Sequence, residues 1–302
     1  MAKTLIQLRD ESPARLENAL IDEIVAASPL LEILPFIDAP TGMYQPPVHC
    51  SNDTCIYAGG TYYRQPRPVS VPPGTNCWQP FCDPVQQFSG RARTSRFEAK
   101  TSVKSLGDVR ERHDRRMYRT LGEAYMARMM GSGLVDNGRG GWPPLIDRLQ
   151  GPHFKSYFSF ESLDPGESNK RFNWGMLDRL LDLTPNADMF LMSPATYAQI
   201  RRCDPRGSAL QCGREATYRR VPFRFYSRAG SCFSNDVTRY GGTIMALRVN
   251  ATDGLCGVMT GEPDVLDFGL QEDLYYSTVA TWNATFTLLA GDAASVVTGV
   301  QW

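Results

Sequence analysis

An α+β fold is what this sequence predicts, on three observations: a long amphipathic helix over residues 105–130, β-rich segments filling most of 221–300, and an irregular proline-rich excursion over 43–90. Helices and strands mix without a fixed period, and no internal repeat marks a solenoid or a propeller. The 302 residues, 42% hydrophobic and 21% charged, supply core enough for one large domain or two modest ones without covalent staples. No apolar run approaches the roughly 18–20 residues that cross a bilayer. Acids interrupt the opening stretch, so it does not read as a signal peptide, and the expected compartment is a cytoplasm.

The first element is an arm ending in a short helix. Leu16, Leu20, Ile21, Ile24 and Val25 recur at helical spacing, and Pro29 stops the pattern. Leu30–Phe36 forms a second apolar cluster, closed by Pro35 and the Pro40-Thr41-Gly42 turn. Residues 43–90 change character. Prolines 46, 47, 66, 68, 72, 73, 80 and 84 exclude a helix and oppose a regular central strand. Tyr44, Tyr57, Tyr62, Tyr63, Trp78, Phe81 and Phe88 are interleaved with four cysteines, too many anchors for a solvated linker. The expectation is an extended excursion whose order depends on contacts, including contacts with another chain. Alternation at Phe97, Ala99, Thr101 and Val103 predicts a strand over 91–104.

Ser105 is placed to cap the long helix, whose apolar stripe is Leu106, Val109, His113, Met117, Leu121, Ala124 and Met129. Arg110, Arg112, Arg115, Arg116 and Arg119 cover its other faces, and Gly131 and Gly133 end it. At ~1.5 Å per residue such a helix is about 40 Å long. After the aromatic stretch Phe154–Phe160, Asn173 caps a helix through Trp174, Leu177, Leu180 and Leu181 that ends near Pro185. A strand–helix unit follows: Met189–Met192 is a short apolar run, Ser193 a cap, Pro194 the favoured first helical residue, and Tyr197 and Ile200 the buried face. Val221–Tyr226, Thr243–Val249, Val265–Leu270, Tyr275–Leu289 and Ser295–Val300 read as strands.

The net charge is zero but its distribution is blocky. Residues 1–40 hold three Lys/Arg against seven Asp/Glu, 41–104 hold seven against three, and 249–302 hold seven acids and no Lys or Arg. This fits either ordinary solvated faces or a basic middle that meets the acidic ends of neighbouring copies.

Motifs of catalysis are missing: no G-x-S-x-G elbow, no Walker loop, no G-x-G-x-x-G after a strand, no H-E-x-x-H. Of His49, His113 and His153, His113 falls on the helix stripe and reads as a satisfied core histidine. Cys50 and Cys55 share the spacing of Cys77 and Cys82, and the two pairs are symmetric about Pro66. A ribbon folded there sets Cys50 against Cys82 and Cys55 against Cys77. Three readings stand: thiols acting as small hydrophobes, cross-strand disulfides, or a four-cysteine zinc site with unusually wide spacing. Cys203 and Cys212 are placed to close a small loop, while Cys232 and Cys256 have no evident partner. The N-x-T sequons at Asn52, Asn250 and Asn283 read as chance.

The opening Ile21-Asp22-Glu23-Ile24-Val25, Ser28-Pro29-Leu30-Leu31 and Leu34-Pro35-Phe36, followed by loop, long helix and shorter helix, resembles the tailed-bacteriophage major capsid proteins with the Hong Kong 97 fold. Asp188–Tyr197 is similar to that family's entry to its axial domain, and Gly242–Arg248, Gly257-Val258 and Trp282–Gly299 to its closing strands. The resemblance implies an N-arm (1–40), an extended loop with a cysteine-rich insertion (41–100), a peripheral domain with the long helix as its spine (101–186 and 271–292) and an axial domain (187–270 and 293–302). It implies a non-enzymatic protein without cofactor that assembles as hexamers and pentamers into an icosahedral head around double-stranded DNA. The virion is its place, after assembly in the host cytoplasm and without a membrane. Arm and loop are then expected to be buried on neighbouring subunits. No fused scaffold precedes the arm, which implies a separate scaffolding protein beside the portal and, in some shells, a decoration protein. Residues 41–99 contain no lysine, against isopeptide welding through the loop. An encapsulin-like compartment shares the fold, and a zinc-ribbon binding module is the reading from a different class.

Overall fold

Every side chain of Met189–Met192 is buried, because this strand has a core on each face. Met189 and Leu191 point into one core, Phe190 and Met192 into the other. The computed structural model describes residues 2–11, 15–39, 43–44, 83–101, 106–130, 144–149, 157–159, 172–203, 211–212, 216–225, 242–272 and 274–300. In chain order the elements are β1 (Lys3–Thr4), α1 (Leu5–Glu11), α2 (Arg15–Ala27), α3 (Pro29–Ile33), β2 (Pro35–Asp38), β3 (Met43–Tyr44), β4 (Asp83–Pro84), β5 (Gln86–Ser95) and α4 (Arg96–Thr101). Next come α5 (Leu106–Met130), α6 (Leu145–Leu149), β6 (Tyr157–Ser159), α7 (Trp174–Leu183), β7 (Met189–Met192), α8 (Pro194–Cys203), β8 (Gln211–Cys212), β9 (Ala216–Tyr218) and β10 (Val221–Phe225). The chain ends with β11 (Gly242–Leu247), β12 (Leu255–Met259), β13 (Asp264–Leu270), β14 (Tyr275–Leu288) and β15 (Ala294–Val300).

One sheet has the order β1-β2-β12-β14-β13, with β5 on the other edge of β14; the second has the order β6-β15-β11-β7-β10-β9-β8. The fold class is therefore α+β, as the sequence predicts. The first sheet is antiparallel except where β2 lies parallel to β12, with Phe36 opposite Gly257. The residues from Leu255 to Leu270 thus share a sheet with β14 and β5, and a domain boundary drawn at 270/271 would cut the β13–β14 ladder.

The arm differs most from expectation. It is not left for a neighbour: Leu5, Leu20, Ile24, Leu30, Leu31, Leu34 and Phe36 are all buried in the chain's own first core. Local chemistry makes its elements, since Ser28 caps α3 with Pro29 in the first turn. Close approach then docks it. A methyl at Gly122 of α5 would come within 2.7 Å of the Ile24 carbonyl oxygen, and one at Gly257 within 2.3 Å of the Phe36 ring. Both positions accept the arm because they lack a side chain.

The long helix is present, but its buried face is rotated from the expected stripe. Val109, Tyr118, Leu121, Tyr125, Met126 and Met129 are buried, whereas His113 and Met117 are half-buried. Tyr125 is admitted because its hydroxyl donates to the Thr285 carbonyl at 2.9 Å, so its one polar group is paired. The strand expected over 91–104 lies earlier, at Gln86–Ser95, because β14 supplies ladder partners only as far as Tyr275 opposite Ser95. There the Ser95 hydroxyl accepts from Phe97 N–H at 3.2 Å and α4 begins. The sequence-predicted cap Ser105 lies outside the described residues.

The second sheet follows its sequence closely. Asn173 Oδ1 accepts from Met176 N–H at 3.1 Å to start α7, and Ser193 Oγ from Thr196 N–H at 3.0 Å to start α8. Thr184 donates to Ser295 Oγ at 2.8 Å, and Ser295 donates to the Leu180 carbonyl at 3.0 Å, so two buried hydroxyls tie α7 to β15. Gly257→Ala should press its methyl into the Phe36 ring and cost about 1–3 kcal/mol. Thermal or denaturant unfolding checks this, and an unchanged midpoint would contradict the docking of β2 described here.

Candidate functional site

The features that bear on function are the base of the excursion, the sheet face under α5, and the junction between the two cores. At the base, β3 and β4 form a short antiparallel ladder, Met43 opposite Pro84 and Tyr44 opposite Asp83. Its pairs are centred between residues 63 and 64, not on Pro66. The base ladder therefore does not carry the register that pairing Cys50 with Cys82 requires. Cys50, Cys55, Cys77 and Cys82 themselves lie outside the described residues, as do His49, His153, Asn52 and Cys232. Cys203 ends α8 as an exposed thiol, and the side chain of Cys212 on β8 lies outside the described residues. Cys256 is buried in β12. Among the described residues no group of three or more His, Cys, Asp or Glu is placed to hold a metal. No described helix is long and apolar enough to cross a membrane.

Polar contacts hold the first half of α5 to the sheet, where the second half is held by the apolar core. Arg110 Nη2 donates to Asp267 Oδ1 of β13 at 2.7 Å, and its guanidinium lies 5.1 Å from the Tyr276 ring centroid. His113 Nδ1 lies 3.1 Å from Thr94 Oγ1 and Nε2 3.4 Å from Glu98 Oε1, so it is satisfied as expected but at the core's margin. Burial raises the Asp114 carboxyl above its ordinary range, against the opposing hydrogen bond with Thr278 and the charge of Arg110. Burial acts the same way on Asp267, but the Gly269 N–H and Arg110 outweigh it and hold that carboxyl low.

Arg248, after β11, ties the two cores together. Buried at 8% exposure, it donates to Asp292 Oδ1 at 2.8 Å, to the Asp253 carbonyl at 2.7 Å and to the Pro185 carbonyl at 3.1 Å. Asp188 Oδ2 accepts from the adjacent Val249 N–H at 2.7 Å. Sequence reading missed Arg248, since the three groups it gathers are far apart in the chain. A groove of about 290 Å³ lined by Lys3, Leu8, Phe36, Asp38, Met259, Gly261 and Glu262 offers a lysine and two carboxylates but no hydroxyl, thiol or imidazole side chain. Asn250, in a sequon, instead accepts from Thr252 N–H and Asp253 N–H to close a turn, and Asn283 lies within β14.

Three substitutions test these contacts. Arg248→Met leaves two carbonyls and the part-exposed Asp292 without their donor and should cost about 1–3 kcal/mol, with Arg248→Lys recovering only part because it lacks the planar fork. Equal melting of all three proteins would refute the assignment. Because the Asp114 carboxyl is raised in the folded chain, its term in stability grows as pH falls through that raised range towards the ordinary value of about 3.9. Asp114→Asn should remove that growth and melt higher than wild type near neutral pH. Thermal melts across the acid range check both, and a wild-type pH profile in the variant would contradict the account.

No family model matches the chain, and no curated protein does. Solved structures do. The chain is similar to the SrpI encapsulin of Synechococcus elongatus PCC 7942, at 16% identity and TM-score 0.59 over 90% of this chain and 87% of that one. It is similar to the satellite phage P4 procapsid, at 9% identity and TM-score 0.55 over 96% and 92%. It is also similar to the capsid of an empty GTA particle, at 13% identity and TM-score 0.54 over 89% and 88%. At these identities the likeness is one of fold, and it covers about nine-tenths of the chain: the chain has the Hong Kong 97-like capsid fold.

Proposed function

We propose that this chain is the major capsid protein of a tailed bacteriophage, whose copies assemble as hexamers and pentamers into the icosahedral head that encloses double-stranded DNA. The observation that carries this reading is the likeness to a phage procapsid subunit over nine-tenths or more of both chains. In this reading the protein is a wall and not an enzyme. The first sheet with α2 and α5 serves as the peripheral domain, the second sheet with α7 and α8 as the axial domain, and the part of residues 41–100 that precedes β5 as the extended loop. A separate scaffolding protein and a portal direct assembly in the host cytoplasm, a decoration protein reinforces some such shells, and the inner face meets DNA without reading its sequence. The lysine-free loop is reinforced through its cysteines, by disulfides among Cys50, Cys55, Cys77 and Cys82 once the particle leaves the reducing cell.

The likeness to the SrpI encapsulin supports a second reading, a protein compartment that encloses other proteins in place of DNA. Contents discriminate: nuclease-protected nucleic acid favours the head, co-purifying protein the compartment. Expressed with the scaffolding protein, the chain should give closed particles of uniform diameter under the electron microscope. Small soluble species alone would end both readings. Changing all four loop cysteines to serine should lower particle stability without reductant and leave it unchanged with reductant. Equal stability in both conditions would exclude a cross-link there.

A further inference from the structure

The β9–β10 connection carries backbone strain that the chain does not use for itself. Tyr218 lies opposite Val221, so the two strands are joined by Arg219 and Arg220 alone, at φ of 48° and 71°. Both lie in the left-handed region, where asparagine and glycine are at ease and a long side chain is not. Arg219 has an evident reason to be there. Its Nε lies 3.0 Å from Asp178 Oδ1 of α7, which also accepts from the Tyr218 hydroxyl at 2.8 Å. Trp174 of α7 stacks on the Tyr218 ring at 5.4 Å, so the hairpin tip and the helix are held as one piece. Arg220 has none of this: it is exposed and its side chain has no partner among the described residues.

A second misfit lies beside it on α7. Trp174, Asp178 and Asp182 form one ridge of the helix at i, i+4 and i+8. The hairpin covers the first two. Asp182 is exposed and without a partner among the described residues. It sits in the last helical turn, where the macrodipole disfavours a carboxylate. The subunit therefore closes one arginine–aspartate pair, Arg219 with Asp178, and leaves the adjacent arginine and aspartate open. Both open residues are locally unfavourable, and they are opposite in charge. Departures from local preference that gain nothing within the chain mark a functional surface.

We propose that this corner is a contact between copies of the chain, in which Arg220 of one copy pairs with Asp182 of the next around a rotation axis. The proposal rests on the shell reading and assigns one contact within its rings. Each copy offers one cation and one anion, so in a closed ring every copy gives one and takes one, and none is left over. Arg220 and Asp182 of one chain lie about one helical turn beyond a closed pair, on the order of 10 Å apart. In a ring of five or six, points that far apart on one copy meet both neighbours only at a similar distance from the axis. The hairpin tip therefore sits near the centre of the ring. Asp178 and Asp182 at the same corner disfavour nucleic acid as the occupant.

Particle yield and subunit association are measured after thermal melts show each variant folded. Arg220→Gly relieves the strain and leaves the Arg219–Asp178 pair in place. It should melt no lower than wild type and still lose association by about threefold or more. Arg220→Glu and Asp182→Arg should each lose about tenfold or more, and the two changes in one chain should regain most of it. Oxidised protein carrying both Arg220→Cys and Asp182→Cys should give a ladder of cross-linked species beyond the dimer, absent from either single variant. Unchanged association in the charge reversals, no recovery when they are combined, or cross-links that stop at a dimer or stay within one chain would each overturn the contact. If wild type makes shells that none of these changes affects, the contact falls and the shell reading stands. If wild type forms only small rings that the changes dissolve, the contact stands and the shell reading falls. A wild-type chain that never self-associates removes both.

Discussion

Four aromatic rings from four distant parts of the chain meet in one place, and the subunit depends on that meeting. Trp282 of β14 is fully buried, 4.8 Å from Tyr125 of α5, 5.8 Å from Phe36 of β2 and 6.1 Å from Phe88 of β5 between ring centroids. Each ring brings its own element: the arm, the strand returning from the excursion, the long helix and the longest strand. Aromatic residues bury large areas and add directional ring contacts, so a few positions secure elements with little local stability of their own. Of the two glycines that let the arm approach, Gly257 lies against Phe36 of this cluster and Gly122 against Ile24 and Ala27 of α2. The consequence is a subunit whose arm and loop-return strand are closed onto their own body.

Around that apolar centre the polar contacts divide the labour. Arg248 gathers Asp292 and two carbonyls where the two cores meet, in a position whose desolvation is offset by multiple hydrogen bonds. The first half of α5 instead rests on exchangeable contacts: Arg110 with Asp267, His113 with Thr94 and Glu98, Asp114 with Thr278. One helix is thus held by apolar packing at its end and largely by polar contacts at its beginning.

Much of this was legible in the sequence where local chemistry decides. Asn173, Ser193 and Pro194 mark helix starts by capping, and the all-apolar Met189–Met192 run reports a strand covered on both faces. The order of arm, excursion, long helix and closing strands led to the fold as a pattern, though no single motif did. Long-range partners were not legible. The arm read as a segment needing a neighbour because its partners, Gly122 and Gly257, are glycines with no hydrophobic signal. Tyr118 and Tyr125 were passed over for the helix stripe because a tyrosine is buried only where its hydroxyl finds an acceptor. The hairpin turn at Arg219 and Arg220, both at positive φ (48° and 71°), carries none of the Asn-Gly chemistry that announces such turns. Arg248 is one arginine among many until the fold brings Pro185, Asp253 and Asp292 around it.

The central claim is that the arm and the returning strand fold within the subunit before any neighbour is present. Amide hydrogen exchange on the unassembled chain tests this most directly. The account predicts that the amides of β2 and β5 are protected as strongly as those of β14, their ladder partner or close neighbour, in protein that has never met another copy. Exchange at unfolded-chain rates in β2 and β5, with protection appearing only on assembly, would contradict it.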